Sequence, residues 1–119
     1  MNPDDFWLFL DQLVAGSRLI IDRPKSSSHP RFPDIIYPLD YGYLAGTTSE
    51  DRAGIDIWLG SNRPRDLSAI VVAVDLHKRD SEIKVLLGCN EAEVQSILAF
   101  HNQNSMRGIL VRRSKEKSW

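Results

Sequence analysis

Between residues 18 and 111 the chain offers several short apolar segments but only one internal helix signal. That ratio constrains the fold more than any other feature. A parallel, doubly wound sheet needs a helical crossover between successive strands, and too few crossover helices exist here. The expected class is therefore α+β with an antiparallel sheet, and a small barrel is an economical way to close it. Strands are expected over 18–23, 54–59, 69–74, 82–87 and 108–111. Pro24 ends the first of them, because it cannot donate to a ladder. Residues 25–33, with three serines and two prolines, read as a loop, and 62–66 as a turn. The unbroken apolar run 69–74 is the pattern of a central, buried strand.

Two helices complete the expected set. Residues 2–15 begin with Asn2 as a cap, Pro3 at the first helical position, and Asp4 and Asp5 at the positive end of the dipole. Gly16 suits a left-handed stop. From Phe6 to Leu10 this helix is apolar nearly all round. A small lone domain has trouble burying both faces of such a helix, so either it caps the core or part of it meets a second copy of the chain. Asn90 and Glu93 form a capping-box start for the second helix, whose stripe is Val94, Ile97, Leu98 and His101.

The chain of 119 residues, with no internal repeat or linker, predicts a single domain over 1–119. Its formal charge of −1 gives no global field to hold a nucleic-acid backbone. Stacking of single-stranded nucleic acid on Tyr37, Tyr41, Tyr43 and Trp58 is disfavoured for that reason. The apolar run at 6–10 is far shorter than the ~20 residues of a membrane span. Asp4 and Asp5 precede it where a secretory leader carries positive charge, so neither leader nor span is expected. The single cysteine, Cys89, suits a reducing cytoplasm and reads as a small hydrophobe.

Two clusters place charge where apolar residues would be cheaper. Asp56 sits inside an apolar strand, where a carboxylate is costly unless paired or metal-bound. Asp51, in the preceding turn, can converge with it on a hard cation such as Mg²⁺. The bland alternative is a turn aspartate and a solvent-facing strand aspartate. In the second cluster Asp80, Glu82 and Lys84 alternate, so a regular strand puts them on one face, opposite Ile83 and Val85. That face is either an ion-pair row or a metal–phosphate site, with acids on the cation and lysine on phosphate oxygens. No Walker-type loop, Gly-x-Ser-x-Gly or paired cysteine–histidine set occurs.

The segment Tyr37-Pro38-Leu39-Asp40-Tyr41-Gly42-Tyr43, followed by Asp51-Arg52-Ala53-Gly54-Ile55-Asp56-Ile57, resembles the soluble family I inorganic pyrophosphatases. Their hallmark is Tyr-Pro-x-Asn-Tyr-Gly-Tyr, then Asp-x-Asp-Pro-x-Asp with a hydrophobic residue after it. The gap between the two segments matches without an insertion. The resemblance covers about residues 17 to 103. It implies an oligonucleotide-binding-like barrel with flanking helices, in the cytoplasm. It implies hydrolysis of pyrophosphate to two phosphates with Mg²⁺ as cofactor; the departures from the family's pattern leave another phosphoanhydride as substrate, or Mn²⁺ as the metal, open. Metals would lower the pKa of a bridging water, and Lys, Arg and Tyr side chains would hold phosphate oxygens.

Carried over position by position, the resemblance implies metal ligation by Asp51 and Asp56. Glu82 stands where the family has a ligating aspartate; His77 falls near the other aspartate of that pair, with Asp75 and Asp80 as nearby substitutes. Lys84 fits the phosphate-binding lysine, Tyr41 the phosphate-side tyrosine, and Arg18 and Arg31 two further phosphate contacts. Asp56, Lys84 and Tyr41 form the implied catalytic set. Ala53 replaces the proposed general base, whose removal typically costs ~10²–10⁴-fold. Asn102 and Gln103 replace a Tyr-Lys pair that grips phosphate. Those replacements motivate an alternative, a relative that binds a phosphate-containing ligand or a protein partner without turnover.

Overall fold

The structure is a computed structural model that describes residues 2–49 and 52–114. The first helix, α1, spans Asp4–Ala15, and Asn2 Oδ1 accepts the backbone N–H of Asp4 at 3.0 Å. Gly16 ends it without the left-handed turn expected of it, at φ −88° and ψ 0°, with its N–H bonded to Gln12 O. The strands are β1 Leu19–Arg23, β2 Asp40–Leu44, β3 Ile55–Leu59, β4 Leu67–Asp75, β5 Asp80–Leu87 and β6 Met106–Arg112, with α2, Glu91–Phe100, between the last two. Both halves of the α2 capping box are formed: Asn90 Oδ1 accepts Glu93 N–H, and Glu93 Oε1 accepts Asn90 N–H, each at 2.9 Å.

The class is α+β, but the sheet is mixed and is not closed. Its order is β1-β2-β3-β5-β4-β6, and the β3–β5 pair is parallel. The antiparallel barrel expected from the strand count is corrected on both points. After β3 the chain passes one position further out to form β4. The β4–β5 hairpin then returns β5 to the vacant place beside β3, running the same way. Two reversals therefore give a parallel pair without a helical crossover. Among the described residues β1 and β6 remain the two edges.

Strand β2 was not among the expected strands, because Pro38, Asp40 and Gly42 weaken its signal. Gly42 shows why a glycine belongs there. A Cβ on it would lie 1.8 Å from the Ile20 carbonyl oxygen, so β1 can approach only a bare backbone.

Alternation along the strands divides the molecule into two faces. Ile57 and Leu59 of β3, Val85 and Leu87 of β5, and Ile70 of β4 pack under Trp7 and Leu10 of α1. Trp58, Leu86, Ala69 and Val71 point the other way and pack under Val94 and Ile97 of α2, with Tyr37 and Leu39 of the loop before β2. Burying these two apolar layers provides the main driving force for folding. The outer side of α1 is left over, as its all-round apolar sequence implies: Phe6, Leu8 and Leu13 are about half exposed and Phe9 is 69% exposed. Among the described residues no helix is long and apolar enough to cross a membrane.

Candidate functional site

On the α2 side the sheet face changes from apolar to charged along each strand. Register alone explains the change. One row across the sheet reads Tyr41, Trp58, Leu86, Ala69, and the next reads Tyr43, Asp56, Lys84, Val71. Glu82 and Ala73 begin the row beyond. The alternation read from residues 80–84 is therefore realised, with Glu82 and Lys84 turned inward and Ile83 outward. The charged rows floor a cleft of about 890 Å³.

Lys84 is the centre of this floor. Its ammonium donates to Asp56 Oδ2 at 2.6 Å, to Tyr41 Oη at 3.1 Å and to Glu82 Oε2 at 3.2 Å. An ammonium has three N–H donors, and all three are used. The side chains of Lys84, Asp56 and Glu82 are only 10%, 15% and 4% exposed, so these are enclosed ion pairs rather than surface ones. Glu82 Oε1 lies 3.6 Å from Lys78 Nζ, which is also 3.5 Å from Asp80 Oδ2. Charge thus alternates through Asp56, Lys84, Glu82, Lys78 and Asp80. Burial, followed by the neighbouring Asp56 carboxylate, holds the Glu82 carboxyl above its ordinary range even beside Lys84. Burial and then Asp56 push the Tyr41 hydroxyl well above that of a free phenol, so it stays a hydrogen-bond donor.

The implied site residues divide sharply. Asp56, Glu82, Lys84 and Tyr41 come together from three different strands, and Asp80 joins them through Lys78. Asp51 lies outside the described residues. Arg18 and Arg31 are exposed and do not line the cleft. Arg18 serves the β1–β2 edge through its carbonyl, which accepts Ala45 N–H at 2.8 Å. Arg31 belongs to a turn held by His29, whose Nδ1 accepts its backbone N–H at 3.0 Å. The arginine that does line the cleft is Arg23. A register shift between Ile21 and Arg23 places it opposite Tyr41. A charged residue at the very end of an apolar strand was the only signal for it.

Asn102 and Gln103 also separate. Gln103 lines the cleft. Asn102 faces the free edge of β6, where its Nδ2 donates to Gly108 O at 3.0 Å and its Oδ1 accepts Gly108 N–H at 3.2 Å. A side-chain amide thus stands in for one residue of a neighbouring strand. Asn102→Ala is expected to cost about 1 kcal/mol, the net worth of such exposed bonds. It should speed hydrogen exchange at the Gly108 amide and leave ligand affinity unchanged. Thermal denaturation and exchange measurements check this, and unchanged exchange would contradict it.

Beneath the cleft His101 is 1% exposed. Its Nε2 accepts the indole N–H of Trp58 at 2.9 Å, and its Nδ1 lies 3.0 Å from Met106 Sδ. Burial, and then Lys84, lower its pKa to about 3, so it is a neutral core histidine. Burial and then Glu93 push the Cys89 thiol up to about 12, which keeps it a thiol. Asp75 organises the β4–β5 turn, its Oδ1 accepting His77 N–H, Lys78 N–H and the Ser105 hydroxyl.

The cleft lining carries the carboxyl side chains of Asp22, Asp56, Asp75, Asp80 and Glu82 against the basic side chains of Arg23, Lys78 and Lys84. Such an excess of acid repels a bare polyanion and welcomes a cation. Among the described residues, however, no three His, Cys, Asp or Glu side chains are arranged to hold a metal ion. Two carboxylates, Asp56 and Glu82, converge on one point, and the Lys84 ammonium stands at it. No protein-family model matches the chain, and no curated protein matches it closely.

Proposed function

We propose that the cleft binds a phosphoanhydride as its magnesium or manganese complex and hydrolyses it, in the manner of the inorganic pyrophosphatases that residues 37–57 resemble. The observation that carries this reading is the meeting of Asp56, Glu82 and Tyr41 on the Lys84 ammonium. The same reading makes the scaffold a pyrophosphatase-like α+β domain at work in the cytoplasm.

The donor set supports a cation that arrives already part-ligated by phosphate. Magnesium is commonly held by one or two carboxylates together with substrate phosphates and water, without an all-protein cage. Asp56 and Glu82 supply that number. Asp56 and Glu82 would hold that cation, which when bound would offset phosphate charge and lower the pKa of a coordinated water. In the balanced reaction, the oxygen of water bonds to one phosphorus and the bridging P–O bond breaks. Pyrophosphate gives two orthophosphates, and the proton lost by water leaves on phosphate or to solvent. Lys84 turns its ammonium from the carboxylates to a phosphate oxygen, and Tyr41 donates its O–H to another. Lys78 offsets charge at the Asp80 end.

A second reading rests on Ala53. Ala53 lines the cleft at the position where the resemblance sets the family's proposed base, which favours binding without turnover. A phosphate-release assay on pyrophosphate with Mg²⁺ or Mn²⁺ separates the two. Hydrolysis that needs the metal and falls about 100-fold or more in Asp56→Asn supports the first. Metal-dependent binding with no release supports the second. Absence of both binding and release overturns the phosphoanhydride reading.

A further inference from the structure

Resting on that reading, we infer that the ligand is a nucleoside phosphoanhydride rather than pyrophosphate itself, its planar base lying on a ring platform formed by His29 and Phe32. The cleft has two chemically different ends. One is the charged floor around Lys84. The other is aromatic and is reached from Lys84 through a continuous series of rings. The Tyr41 hydroxyl touches Lys84, and the Tyr41 ring lies 5.4 Å from Tyr37. The Tyr37 ring is near-parallel to His29 at 6.3 Å, and His29 lies 5.2 Å from Phe32.

Two properties mark the aromatic end as a place for a ligand. Its volume is one. A cleft of about 890 Å³ is in the range that encloses a drug-sized organic molecule, far more than two phosphoryl groups fill. The other is the state of its rings. Tyr37 and Phe100 are packed at 5.2 Å as part of the core, but Phe32 is 51% exposed and meets only His29 among the described rings. A large apolar ring held at the rim of a cleft offers its free face to a planar partner.

The platform is also fixed in place. His29 Nδ1 accepts the backbone N–H groups of Arg31 and Phe32 at 3.0 and 3.3 Å, which sets the ring's orientation and leaves the proton on Nε2. The backbone bonds His29 N–H to Ile35 O and Tyr37 N–H to Ser27 O close the loop that carries it. Burial, and then Arg23, lower the His29 pKa from its ordinary value, which favours the uncharged ring. Arg23, which lines the cleft and lies near enough to Tyr37 to counter the effect of burial on its hydroxyl, stands at the same end. Stacking on such rings tolerates any base, because every base has a π-face.

The test measures binding of two non-hydrolysable probes to the full chain in excess Mg²⁺ by calorimetry. One is methylenediphosphonate; the other is the α,β-methylene analogue of a nucleoside diphosphate, in a purine and a pyrimidine form. The expected result is that the nucleoside analogues bind about tenfold tighter or more. Phe32→Ala, at an exposed position that leaves the core intact, should remove about tenfold of their affinity and none of the diphosphonate's. Equal affinity for all probes, or a Phe32→Ala effect that is absent or the same for all, overturns the inference and leaves the phosphoanhydride reading standing. No binding of any probe overturns both.

Discussion

Lys84→Met is expected to lower the melting temperature by about 10–20 °C at pH 7.5. Methionine keeps most of the volume and removes the charge, so the two carboxylates of Asp56 and Glu82 are left facing each other in an enclosed floor. Breaking a buried ion pair from one side costs about 3–5 kcal/mol, because the remaining charge has lost its partner and cannot reach water. For a domain of this size each kcal/mol moves the transition by several degrees. The sign with pH follows from Glu82. Its folded pKa is raised, by burial first and then by Asp56, and loss of Lys84 raises it further. Where the folded pKa lies above the unfolded one, the native state binds more protons in between, and stability falls as pH rises through that window. The variant should therefore be hurt less at pH 5 than at pH 8. Adding Glu82→Gln to Lys84→Met should recover part of the loss, since one of the opposed charges is gone. A shift below about 3 °C, or a loss that does not vary with pH, would show that the ion pairs are not enclosed as described.

The second large effect concerns acid stability. His101 has a folded pKa of about 3, against about 6.5 in the unfolded chain. Between those values only the unfolded state takes up the proton, so stability is full above the unfolded pKa and falls as pH drops. The slope is about 1.4 kcal/mol per pH unit, accumulating to about 4–5 kcal/mol near pH 3. Other groups titrate in the same range. Asp75, where Ser105 and the backbone N–H groups of Lys78 and His77 outweigh burial, is lowered and adds to the acid loss, whereas Glu82 opposes it. The His101 contribution is isolated by comparison with His101→Gln, whose carbonyl oxygen can still accept the Trp58 indole N–H. The variant should be the less stable at pH 7.5. The gap to the parent should then narrow by about 1.4 kcal/mol for each pH unit below 6. Denaturant unfolding across pH 4–7 measures this, and parallel curves would exclude His101 as the titrating group.

How much of this was legible beforehand depends on whether a feature is local. The Asn90–Glu93 cap is written within four residues, and both of its bonds form. The period of two along residues 80–84 places Glu82 and Lys84 on one face without knowledge of the neighbouring strand. The convergence of Asp56 with them is not local. It follows from the parallel register Asp56 to Lys84, which depends on where β4 inserts. β2 was missed because its glycine, unfavourable by propensity, is demanded by the closeness of β1. The aromatic end of the cleft was illegible for a related reason. His29 and Phe32 sit in a segment that reads as plain loop, and the backbone bonds of residues 26–37 close it so that His29 lies over Tyr37 and Phe32 against His29. Asn102, which the resemblance sets in place of a phosphate-gripping residue, serves the sheet edge, a role that only the position of β6 reveals.

The saturated ammonium of Lys84 has a consequence for any affinity measured here. At rest the chain already supplies its own occupants for the spot an incoming oxygen must take. Uptake is then an exchange of partners, and its observed strength is the difference between two attractions. Glu82→Gln would loosen one resident contact on the lysine but also take away one of the two carboxylates offered to the cation, so its two effects on uptake oppose each other.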